Sequence, residues 1–80
     1  MVQRIVRLRE VTLLSGMSRS TIYVRMAQRL FPSALTLGPR MIGWPESEIA
    51  GMNAARIRGD SERAVRDLVA TLEAARERAA

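Results

Sequence analysis

Ser15-Gly16-Met17-Ser18-Arg19-Ser20-Thr21-Ile22-Tyr23-Val24-Arg25-Met26-Ala27-Gln28-Arg29-Leu30 is the stretch on which the reading of this chain turns. Gly16 can end a helix in the left-handed region, and Ser18 is of the residue type that caps a new one. Together they let two short helices meet at a steep angle, which makes a helix-turn-helix. Ile22, Met26 and Leu30 recur every four residues and predict a buried stripe, with Arg29 beside it, on a helix spanning residues 18–30. A rotation of about 100° per residue turns Ser20, Thr21, Val24 and Gln28 to the opposite side. Arg19 and Tyr23 then flank one edge and Arg25 the other. Serine, threonine and arginine hydrogen-bond phosphates and base edges, and a glutamine such as Gln28 can pair with adenine. The outward face therefore has the chemistry of a helix that enters a DNA major groove.

Upstream, Leu8, Val11 and Leu14 fall three apart and predict a first helix over residues 8–15, with Leu13 off its stripe. Met17 is expected to drop into the core between the two helices. Residues 1–7 alternate as an extended lead-in with one strand's worth of β character, and Arg4, Arg7, Arg9 and the cap Ser18 are candidate DNA-backbone contacts. Downstream, Phe31-Pro32-Ser33 stops the second helix. Residues 34–44 alternate around Gly38-Pro39 as a small hairpin, a candidate wing with Leu35 and Leu37 facing inward. Arg40 at its tip is a candidate minor-groove or backbone contact, and Trp44 is expected to anchor the wing against the helices.

Pro45 suits the start of a third helix, where Glu46 and Glu48 complement the helix dipole. Ile49, Met52 and Arg56 continue one face of it, with Ile57 near, and Gly51 weakens it by roughly 1 kcal/mol against alanine. Gly59-Asp60-Ser61 breaks the chain, and Ser61 caps a last helix. There Val65, Leu68, Leu72, Ala75 and Ala79 follow 3-4-3-4 spacing, a candidate seam between copies of the chain. The alternative is a satellite helix that covers apolar surface of its own domain. The predicted fold is mainly α with a small β-hairpin: a winged helix-turn-helix over residues 1–58, followed by an amphipathic helix over residues 59–80.

Composition narrows the function. The chain has 80 residues and no cysteine or histidine, which removes disulfides, zinc fingers and histidine-based catalysis. No Gly-rich phosphate loop, metal-ligand cluster or activated nucleophile occurs, so neither an enzyme nor a cofactor-dependent protein is expected. All 13 basic residues are arginine, and the net charge is +5. Residues 1–45 hold seven arginines against Glu10 alone, whereas residues 46–80 hold six against seven acids. The positive charge sits where it could meet phosphate. No signal peptide and no apolar run long enough to span a membrane is present, which fits a cytoplasmic, nucleoid-associated protein.

Two stretches carry a resemblance. Arg7-Leu8-Arg9-Glu10-Val11 through Gly16-Met17-Ser18-Arg19-Ser20-Thr21-Ile22-Tyr23 is the first, and Phe31-Pro32 through Gly38-Pro39-Arg40 to Gly43-Trp44-Pro45-Glu46-Ser47-Glu48-Ile49 is the second. Over residues 4–58 the chain resembles the AlpA family of small phage and prophage regulators, winged helix-turn-helix proteins related to MerR-type and excisionase domains. The resemblance implies sequence-specific binding of double-stranded DNA without a cofactor, in transcription regulation or as an excisionase that serves a phage-type integrase. It assigns Arg19, Ser20, Thr21, Tyr23 and Arg25 to the recognition helix and Arg40 to the wing. Members often carry lysines where this chain has Ser33, Ala34 and Thr36. One such module reads too few bases to select a unique site, so a homodimer or a head-to-tail row on DNA is expected. The reading from another class is a protein-interaction module that docks a partner through the last helix.

Overall fold

The computed structural model describes residues 3–79, with side chains through Glu77; Met1 and Val2 of the lead-in, and the side chain of the expected seam residue Ala79, lie outside the described residues. The order of elements is β1 (Ile5–Arg7), α1 (Leu8–Ser15), α2 (Arg19–Ala27), β2 (Leu35–Gly38), β3 (Met41–Pro45), α3 (Glu46–Arg58) and α4 (Glu62–Ala79). The expected helix-turn-helix and hairpin are both present, and β1 adds a third strand. It pairs antiparallel with β3, which gives a sheet of order β1-β3-β2.

Gly16 ends α1 at φ 72°, and its N–H donates to the Thr12 carbonyl. Ser18 caps α2 as expected: its Oγ accepts the Thr21 N–H. Leu8, Val11, Met17 and Ile22 are buried between the helices. Leu14, expected on the buried stripe, is half exposed, and Ser15 is buried in its place.

The second helix is shorter than residues 18–30. It stops at Ala27 because Arg29 takes up a left-handed conformation at φ 61°. The Leu30 N–H then reaches the Arg25 carbonyl and the Arg29 N–H reaches the Met26 carbonyl, the paired bonds of a Schellman ending. Leu30 is still buried, but through this turn rather than on a helical stripe, and Arg29 is exposed.

In the hairpin, Thr36 pairs with Ile42 and Gly38 with Met41, so Leu37 is an extra residue in its strand. That bulge breaks the alternation and turns Leu37 outward, whereas Leu35 is half-buried. Gly43 sits in the central strand, where a Cβ would lie 2.8 Å from the Val6 carbonyl oxygen and 2.9 Å from side-chain carbons of Ile5 and Leu37. Only glycine lets both outer strands close on β3. The neighbouring Trp44 is fully buried, meets Phe31 edge-on at 5.8 Å, and donates its indole N–H to the Pro32 carbonyl at 2.8 Å.

The buried face of α3 is Glu48, Ile49, Met52 and Ala55, while Ile57 is 87% exposed. Arg56 does not join the core; its guanidinium donates to the carbonyl of Ser15 at the end of α1. Gly51 faces Leu72 of α4 with a Cβ-to-carbon spacing of 3.9 Å, ordinary van der Waals contact. Gly51→Ala is therefore expected to stabilise the protein by about 1 kcal/mol, read as a raised midpoint in urea unfolding.

The last helix packs on its own domain. Val69 is 4% exposed and belongs to the core, with Val65, Leu68 and Leu72 packed against it. Three of the expected seam residues thus cover this chain's own apolar surface, and Ala75 is exposed. Arg76 makes two bonds to the buried carboxylate of Glu48, at 2.7 and 2.8 Å, and a third to the Ser33 carbonyl. The paired carboxylate raises the pKa of that guanidinium above its ordinary value. Glu73 accepts from both the N–H and the hydroxyl of Ser33. Ser33 is thus held between two residues of α4.

Candidate nucleic-acid interface

The two sides of α2 differ. On the side of the wing, Arg7 and Arg9 from the β1–α1 junction, Arg19 and Tyr23 from α2, and Arg40 from the hairpin tip line one surface depression floored by Leu8 and Ile42. Among the described residues none of these four arginines forms an ion pair, and the same is true of Arg25 and Arg29. Of the other arginines, Arg4 pairs with Glu10 and Glu46, Arg58 with Asp60, Arg66 with Glu62 and Arg76 with Glu48, while Arg56 and Arg63 form no ion pair among the described residues. Four arginines without an acidic partner are thus gathered where α1, α2 and the hairpin converge. Four guanidiniums facing one depression repel each other, and an incoming polyanion relieves that repulsion.

Arg40 reaches this position from a turn in which it adopts φ 57°, a conformation uncommon for a residue with a Cβ. Tyr23 is half exposed and lines the same depression, where an aromatic with a polar hydroxyl can serve both an apolar and an aqueous face. On the far side of α2, Ser20, Thr21, Val24, Arg25 and Gln28 line a second depression, shared with Leu30 and with Glu62 of α4. The eight expected recognition residues are therefore all at the surface or its edge, but they divide into a wing-side set and an α4-side set.

Two candidate backbone contacts are occupied otherwise. Arg4 bridges Glu10 at 2.6 Å and Glu46 at 2.8 Å and so ties β1 to α1 and α3. Ser18 both caps α2 and donates to the Thr21 hydroxyl at 2.9 Å. Sequence reasoning missed Glu62, whose approach to α2 depends on the α3–α4 turn. It also missed Arg66, whose Nε donates at 3.0 Å to the carbonyl of Gln28 at the end of α2.

Among the described residues no group of histidine, cysteine or acidic side chains is arranged to hold a metal ion, and no helix is long and apolar enough to cross a membrane. Residues 4–56 match the family model described as Prophage CP4-57 regulatory protein (AlpA). ORF88 of Enterobacteria phage P4, described as an uncharacterized protein, is 40% identical over 57 residues, which cover 71% of this chain and 65% of that protein. No solved structure matches the chain.

Proposed function

The chain belongs to the AlpA family of phage regulatory proteins, and from that premise we propose that it regulates transcription by binding double-stranded DNA. AlpA-family regulators are not enzymes, so the function has to be carried by a surface. In this reading α2 enters a major groove and presents Ser20, Thr21, Val24, Arg25 and Gln28 to base edges. The hairpin lies over the adjacent minor groove or backbone, with Arg40 at its tip, while Arg7, Arg9, Arg19 and Tyr23 grip phosphates. The observation that carries it is the depression where four unpaired arginines and Tyr23 meet beside α2. A single module contacts few bases, so binding as a dimer or as a row of protomers on repeated half-sites is part of the proposal.

Selection from random duplexes followed by footprinting tests this reading. A recurrent site with regularly spaced half-sites is the expected result. With about five phosphates neutralised, the log–log dependence of affinity on salt should have a slope near −4.5. Arg25→Ala or Thr21→Ala should weaken specific binding by about 1–3 kcal/mol with thermal stability nearly unchanged. A slope near zero, or full affinity in both variants, would move the functional surface away from α2. Retained circular dichroism with no shift of any duplex would favour a protein-docking role instead.

A further inference from the structure

The first turn of α4 lies beyond residues 4–56, the part matched by the family model, yet it reaches the recognition face. Glu62 borders the depression formed by Ser20, Thr21, Val24, Arg25 and Gln28. Its side chain is 73% exposed, and its one ion pair among the described residues is a long one, 3.6 Å to Arg66. Arg66 is itself committed to the Gln28 carbonyl, so the carboxylate is steadied beside the end of α2 while its acceptor capacity stays almost unused. The basic charge gathers on the opposite edge, around Arg7, Arg9, Arg19 and Arg40.

We infer that Glu62 is a specificity-determining residue, which accepts a hydrogen bond from the N4 amino group of a cytosine at the flank of the site away from the wing. The inference rests on the DNA-binding reading. A carboxylate at the rim of a duplex interface lowers affinity for every sequence unless it meets a donor, because phosphates surround it. In the major groove cytosine presents a donor, guanine and thymine present acceptors, and adenine sets an acceptor beside its donor. Cytosine is thus the base that offsets the charge with least opposition. Because a mismatch leaves the carboxylate facing acceptors, Glu62 also penalises sliding by one base pair.

The test compares the protein with Glu62→Ala and Glu62→Gln on random-duplex selection, then titrates duplexes that vary only at the selected flank position. The unmodified protein is expected to select a C·G pair there. Glu62→Ala should lose that preference by about ten-fold and leave the other positions unchanged. Glu62→Gln, which keeps an acceptor but not the charge, should bind unrelated duplexes roughly two- to three-fold more tightly at low salt. Thermal melting of both variants checks that the exposed substitution leaves the fold intact. If Glu62→Ala selects the same flank base with equal strength, the inference fails and the DNA-binding reading stands. The same holds if affinity rises uniformly with no preference lost. If the unmodified protein binds no duplex at all, both fail together.

Discussion

Ending the chain after Gly59 should unfold the protein rather than release a smaller intact domain. The helix that would be lost contributes Val69 to the core and lays Val65, Leu68 and Leu72 over it. Full burial of one such side chain is worth about 1.5–3 kcal/mol, so the four together, only one of them fully buried, contribute on the order of 5 kcal/mol. At about 0.05–0.15 kcal/mol per residue, a chain of this size has a total stability of only some 4–12 kcal/mol. The truncation also removes Arg76 from Glu48 and both α4 partners from Ser33, so the entry to the hairpin loses its anchors. Far-UV circular dichroism and amide dispersion in NMR decide the matter. A dispersed spectrum with a cooperative melt from residues 1–59 would show that α4 is dispensable to the core, and would return its apolar face to the role of a contact between copies.

Local signals explain what could be foreseen. Gly16, the Ser18 cap and the Gly38-Pro39 turn each act over a few residues, and each fixed an element where the structure has it. The errors have geometrical causes. Steps of three precess by about 60° each, so Leu14 is rotated about 120° from Leu8, while Ser15 returns to within about 20° of it. The same rotation puts Ile57 across the helix from the arc of Glu48, Ile49, Met52 and Ala55. The early end of α2 was illegible because Arg29 adopts a conformation that sequence associates with glycine or asparagine. In the candidate interface, clustered charge announced the arginines. Which of them stay free depends on contacts distant in sequence: Arg4 is lost to Glu46, and Glu62 gains its position from the turn between α3 and α4. Pattern reading identifies faces, and tertiary packing decides which charges a ligand can meet.

Trp44→Ala should cost about 3–5 kcal/mol from the lost side chain, with a further 1–3 kcal/mol because the buried Pro32 carbonyl loses its donor. Few proteins of this size would stay folded, so the informative partner is Trp44→Phe. Phenylalanine keeps an apolar ring against Phe31 but cannot donate to Pro32, and it should cost some 1–3 kcal/mol, lowering the melting midpoint by roughly 4–8 °C per kcal/mol. Trp44 lies on the central strand opposite Val6, while Pro32 belongs to the connection between α2 and the hairpin. The indole N–H is therefore a direct tie between the hairpin and the segment leaving α2. Loosening that tie frees the wing to adopt more poses relative to α2, and a contact at its tip then costs more to order on binding. If the chain binds DNA as proposed, Arg40→Ala in a double-mutant cycle should weaken that binding less in the Trp44→Phe background than in the unmodified protein. Strict additivity of the two substitutions would mean that wing and recognition helix are held together elsewhere, with Glu73 and Arg76 on Ser33 the next links to cut.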